Sequence, residues 1–107
     1  MTQISLESLP HMTEITILGH CEAGRINGMD LCCCAVSILV YTLMDSLGKM
    51  KLSGFKRSYG GGWCHIRFDT KSKDYKKAMI SIGTIMKGFR LLEKSYPTSI
   101  NIKEANV

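Results

Sequence analysis

The 107 residues predict an α+β fold, a two-layer sandwich in which a mainly antiparallel sheet of about five strands carries two helices on one face, in the order ββαββαβ. Three observations carry this expectation. Short alternating segments come in two hairpin-like pairs, each pair is followed by a long stretch with helical spacing of apolar residues, and one more alternating segment closes the chain. Two hairpins favour a largely antiparallel sheet with both helices on one face.

Residues 2–8 alternate around Ile4 and Leu6 and read as a short strand, which Pro10 ends with a turn. Residues 13–18 place Ile15 and Ile17 between Glu14 and Thr16, a β-branched period-2 pattern that delivers Gly19 and His20 at its end. Residues 21–29 contain Gly24, Asn27 and Gly28 without periodicity and read as a loop, the kind of segment that often carries function. Asp30 is a good N-cap, and Leu31, Ala35, Leu39 and Leu43, with Val36, Ile38 and Leu47 beside them, predict a helix buried on more than one side and ending at Gly48.

Residues 51–57 and 63–69 flank the glycine-rich turn Ser58-Tyr59-Gly60-Gly61-Gly62 and form the second hairpin. Its second arm puts Trp63, His65 and Arg67 on one face and Cys64, Ile66 and Phe68 on the other. From 73 to 96, a stripe running from Tyr75 through Ile82 and Phe89 to Leu92 predicts a second helix closed by Pro97, and residues 99–103 alternate around Ile100 and Ile102 as the last strand. Met79 and Met86 on that stripe read as core, or core plus a subunit interface.

With 45% apolar and 21% charged residues, 2 Pro and 10 Gly, the chain is excluded from disordered and collagen-like classes, and residues 1–107 fit one domain because two cores would not. The longest apolar stretch, from Leu31 to Met44, is interrupted by Ser37 and Thr42 and is shorter than the roughly 20 residues of a bilayer span. No secretory pattern opens the chain, so a cytoplasmic location with reduced thiols and no membrane association is expected. Five cysteines, three of them consecutive, do not make a disulfide framework.

The net charge of +5 is a weak clue, since the basic residues are spread along the chain without a block, and direct nucleic-acid binding is not expected. Gly60-Gly61-Gly62 precedes a strand and lacks a following Lys-Ser or Lys-Thr, so no nucleotide loop is present. A zinc reading would gather Cys21, one of the triplet, Cys64 and His65, but no paired ligand spacing supports it; no metal or cofactor is expected. His65 reads instead as a half-exposed sheet residue.

Chemistry points to the start of the first helix. Cys33 sits in its first turn, thirteen residues after His20 at a strand end. Unpaired N–H groups and the positive helix end stabilise a thiolate, and a histidine beside it can lower a cysteine pKa from about 8.5 into a range of roughly 3.5–7.5. The same N–H groups can donate to an oxyanion, so a cysteine and a histidine there suffice for acyl transfer. From spacing alone such pairs are more often unrelated, and of three consecutive helical cysteines, about 100° apart, at most one or two face one site.

The run Gly19-His20 … Gly28-Met29-Asp30-Leu31-Cys32-Cys33-Cys34-Ala35-Val36-Ser37 resembles the motif of the ribosomal-processing cysteine protease family, Prp, and the element order resembles it over nearly the whole chain. The resemblance implies a cysteine endopeptidase with Cys33 as nucleophile, His20 as general base, and Asp30 and Ser37 in support. The loop holding Gly24 and Gly28 would admit the peptide. It further implies a homodimer acting on a protein substrate, the N-terminal extension of large-subunit ribosomal protein twenty-seven, or a capsid or scaffold protein for a prophage relative.

The chain departs from the motif in three places. The usual Gly-His-Ala reads Gly19-His20-Cys21, the alanine after the nucleophile reads Cys34, and the interval from the histidine is one residue longer. Counting from His20 selects Cys32, whereas Asp30 and Ser37, on the same helix, select Cys33. The alternative function is a small basic ribosome- or nucleic-acid-binding module whose cysteines are structural.

Overall fold

The computed structural model describes residues 1–21, 24 and 30–106. In chain order the elements are β1 (Thr2–Ser8), β2 (Met12–Leu18), α1 (Leu31–Gly48), β3 (Lys56–Gly60), β4 (Trp63–Asp69), α2 (Tyr75–Ser95) and β5 (Ile100–Asn106). The strands form one five-stranded sheet in the order β3-β4-β2-β1-β5. All neighbours are antiparallel except β1 and β5, which run parallel because α2 carries the chain back along the sheet before β5 begins.

Alternation decides which face is covered. Ile4, Ile15, Ile17, Cys64, Ile66 and Phe68 are buried, while Thr16, His65 and Arg67 between them are half-buried and Gln3, Leu18 and Trp63 beside them are exposed. Val36, Leu43, Met44 and Leu47 of α1 and Ala78, Ile82, Ile85 and Phe89 of α2 complete the same core. The α+β class, the element order and the mainly antiparallel sheet therefore follow the pattern of the sequence.

Two expectations change. Residues 51–55 are not strand: Ser53 donates its N–H to Ser72 Oγ at 3.0 Å and accepts the Asp69 N–H at 2.9 Å, and Gly54 takes φ +62. These bonds hold the segment as a loop against the β4–α2 turn. The strand begins later and takes in Ser58, Tyr59 and Gly60, leaving Gly61-Gly62 as a two-residue hairpin turn, with φ +80 at Gly62.

The second change concerns α1. Its buried residues are Cys32, Val36, Leu43, Met44 and Leu47, whereas Leu31, Ile38 and Tyr41 are exposed, Ile38 by 63%. By length and composition alone this helix is apolar enough to cross a membrane, and 28% of it is buried. In the fold it lies on the sheet and against α2, burying one side rather than several.

Candidate active site

The site forms where β2 and β4 end together. Leu18 faces Trp63 in the last register pair of these strands, and the chain leaves the sheet at Gly19, whose N–H donates to the Gly62 carbonyl at 2.7 Å. Gly19 has φ +89, and a Cβ there would strike the Met1 carbonyl oxygen, so only glycine turns the chain at this point. His20 follows and is exposed. A Cβ on Gly62 would lie 2.7 Å from His20 Nε2, so the hairpin turn is the wall against which the imidazole rests.

The helix start is set by Asp30. Its backbone is extended, its carboxylate Oδ1 accepts the Cys33 N–H at 3.0 Å, and its carbonyl accepts the Cys34 N–H at 3.0 Å. The cap therefore bonds the backbone of the very residue singled out as nucleophile. It also commits the Cys33 N–H, so that the expected oxyanion donors at the helix start do not include it in this structure.

Cys33, Ser37 and Tyr41 of α1 open on a cavity of about 130 Å³ that His20 and Cys21 also line. Tyr59, Gly62, Trp63 and Cys64 of the second hairpin form its opposite wall, and Thr2 and Gly19 complete one end. Tyr41, Tyr59 and Trp63 are exposed, so the rim is aromatic while the interior is rich in thiols. The sequence pattern gives this hairpin and its glycine turn but not its place in the site, because nothing local shows that Gly62 backs His20.

The helical turn gives the three consecutive cysteines three surroundings. Cys32 is buried, Cys33 is half-buried and lines the cavity, and Cys34 is exposed. Burial above all, then a hydrogen bond with the Cys21 thiol and the charges of Cys21, Asp30 and Cys33, pushes the Cys32 thiol from 9.0 to about 12. Cys21 is buried with its Sγ 3.2 Å from Thr2 Oγ1. Burial also raises the Cys64 thiol.

Of the residues singled out from the sequence, His20, Cys33 and Ser37 share this cavity, and Asp30 sits behind it as the cap. Gly24 is exposed with φ +107 and open space where a Cβ would stand, and Gly28 lies outside the described residues. His65 is on the uncovered sheet face, its Nε2 3.9 Å from Glu14 Oε2. Among the described residues no group of three or more His, Cys, Asp or Glu is arranged to hold a metal ion.

A helix-start cysteine and a strand-end histidine on one cavity, in a two-layer α+β frame, are the parts a cysteine-dependent hydrolase needs. The family model of the cysteine protease Prp matches residues 1–101, and the chain belongs to that family. It is similar in structure to the essential ribosomal processing protease Prp from S. aureus in complex with a covalently linked product peptide, with a TM-score of 0.80 at 20% identity over 97% of this chain and 99% of that one. The same S. aureus protease in complex with a substrate peptide matches with a TM-score of 0.74 at 18% identity over 97% and 99%. SMU.848 from Streptococcus mutans matches with a TM-score of 0.67 at 19% identity over 100% and 99%. No curated protein matches significantly.

Proposed function

We propose that this member of the Prp family is an endopeptidase in which Cys33 is the nucleophile and His20 its general base. The observation that carries the reading is the shared cavity: His20 and Cys33 both open on it, whereas Cys32 is absent from its lining and has its thiol pushed up to about 12. A buried, protonated thiol is a poor nucleophile, so the helix anchors Asp30 and Ser37 outweigh the count from His20.

His20 takes the Cys33 proton, and the thiolate attacks the scissile carbonyl to give a tetrahedral oxyanion. Collapse of that intermediate breaks the C–N bond, with the proton returned from His20 to the leaving amine, and leaves a thioester. Water, deprotonated by His20, attacks the thioester and restores the thiol. Asp30 holds the helix start in place, and Ser37, one turn on, supports the same wall.

The substrate we infer is the N-terminal extension of ribosomal large-subunit protein twenty-seven, or a capsid or scaffold protein if the chain is prophage-borne. The S. aureus relative, a ribosomal processing protease, supports the first. The loop with Gly24 and Gly28 would admit the peptide, and the enzyme would work in the cytoplasm as a homodimer, the exposed Leu31, Ile38 and Tyr41 of α1 offering apolar surface for a second copy.

A second reading, a basic ribosome- or nucleic-acid-binding module, draws on one feature of the fold. Lys49, Lys51, Lys56, Arg57, Lys71, Lys73, Lys76 and Lys77, scattered in sequence, are all exposed near the end of the sheet away from His20. It predicts binding that weakens steeply with salt and ignores thiol alkylation.

The deciding experiment is a pH series of iodoacetamide alkylation with peptide mapping on the wild type and His20→Ala, run beside cleavage of a peptide carrying the ribosomal extension. Fast modification of Cys33 at neutral pH, slowed in His20→Ala and matched by loss of cleavage, is the expected result. Equal reactivity of the accessible thiols, with cleavage surviving alkylation, overturns the dyad.

A further inference from the structure

The proposed reaction uses one thiol, yet three line the cavity, Cys21, Cys33 and Cys64, and a fourth, Cys32, meets Cys21 just beneath it. We propose that Cys33 and Cys21 are a reversible oxidation site, joined by a disulfide under peroxide so that the nucleophile is blocked but kept from irreversible damage. The inference rests on the reading of Cys33 as the reactive thiol.

The chemistry balances in two steps. A peroxide ROOH is attacked by the Cys33 sulfur; the O–O bond breaks, an S–O bond forms, and Cys33 becomes a sulfenic acid as the peroxide leaves as ROH, two electrons having passed from sulfur to oxygen. The Cys21 thiol then attacks the Cys33 sulfur, the S–O bond breaks, water leaves and the S–S bond forms. A dithiol reverses this by exchange, returning both thiols and leaving as its own disulfide.

Geometry selects Cys21 as the resolving thiol. It follows His20 directly, lines the same cavity as Cys33, and is held there on two sides by the Thr2 hydroxyl at 3.2 Å and by the thiol of Cys32, the residue next to Cys33. The other candidates are worse placed. Cys32 and Cys34 adjoin Cys33 in the helix, where a bond between neighbours is strained. Cys64 stands on the opposite wall, and burial keeps its thiol protonated. Cys21 itself is buried, so peroxide reaches Cys33 first and Cys21 meets only the sulfenic acid.

The test treats the full chain with graded hydrogen peroxide, maps the products without reduction, and then measures cleavage before and after dithiothreitol, each variant normalised to its own reduced activity. Trypsin separates the two partners, since Arg25 lies between them, so the disulfide appears as two joined peptides. Fragmentation of the second, which carries Cys32, Cys33 and Cys34, assigns the sulfur, a bond to Cys32 counting against the proposal. In the wild type a Cys21–Cys33 cross-link and recovery of most activity are expected; in Cys21→Ser, which keeps a polar atom against Thr2, the expected product is Cys33 sulfinic acid with recovery below about a tenth.

Recovery in Cys21→Ser equal to the wild type, or a cross-link from Cys33 to Cys64 instead, overturns the proposal. The mapping also stands apart from proteolysis. Trapping of Cys33 sulfenic acid by dimedone without any peptide cleavage would sink the protease reading and leave the oxidation site in place, whereas cleavage without a cross-link would do the reverse.

Discussion

The two helices share one layer and one sheet face but are built on opposite plans. α2 has one main apolar stripe, with Ala78, Ile82, Ile85, Met86 and Phe89 buried and mostly charged or small residues elsewhere apart from the exposed Ile80 and Leu91, and this amphipathic pattern is what a helix needs to close a core. α1 is apolar on nearly every side, buries only part of that surface, and carries Cys33, Ser37 and Tyr41 on the cavity. Their starts differ too. Asp30 caps α1 through its side chain, whereas Asp74 makes no such bond to α2 and instead accepts the Lys51 N–H at 2.8 Å, tying the end of one helix to the start of the other. One helix is specified by stability, the other by what it presents.

Substitutions can break this contrast. Largest in effect, Cys33→Ala on α1 should lower kcat/KM by at least about 10³-fold, and His20→Ala by about 10²- to 10⁴-fold, while urea midpoints stay near the wild type. Loss of folding in Cys33→Ala would mean that the position is structural. On α2, Phe89→Ala should cost about 3–5 kcal/mol of stability, read from denaturant unfolding, because the ring is fully buried.

The thiol of Cys32 adds a pH-dependent component. Its folded pKa stands above its unfolded value, so its contribution is complete below pH 9.0 and lost as pH rises toward about 12. Stability should therefore decline above pH 9.0, and less steeply in Cys32→Val; an identical pH profile in the variant would refute this. Asp30→Ala should cost about 1 kcal/mol as a lost cap, with Asp30→Asn restoring most of it, and a drop in kcat beyond that loss would show that the cap also positions Cys33.

The smallest change is at the surface. Ile38→Glu on α1 should leave stability within about 0.5 kcal/mol, but weaken self-association in sedimentation, whereas Ile80→Glu on α2, equally exposed, should change neither. Equal association of both variants and the wild type removes α1 as the dimer face.

What the sequence disclosed follows this same division. Periodicity found β1, β2, β4 and the stripe of α2 because in those segments one face is dry and the other wet, and that difference is written locally. It placed α1 from the Asp30 cap to Gly48 but misread how many of its sides are buried, because apolar residues on all sides gave no contrast to read. It misplaced β3, since the bonds of Ser53 to Ser72 and Asp69 that exclude residues 51–55 from the sheet are made nineteen and sixteen residues away.

The site was legible as two residues and a cap. Neither Gly62 against His20 nor Cys21 on the same cavity as Cys33 has a local signature, because both depend on where strand ends meet in space. The gathering of lysines at the far end escaped for the same reason.

Thr2 receives its backbone bond from the last strand's side of the sheet, donating its N–H to Ser99, while its hydroxyl bonds the Gly19 carbonyl and meets Cys21. The wall of the cavity thus hangs on a pairing between β1 and β5, whose members lie almost a whole chain length apart. Contacts of such high separation close late. The segment made last therefore completes the wall of a cleft whose other residues, His20 and Cys33, lie in the first third of the chain, so a chain ending before β5 would lack the strand that holds Thr2 in place.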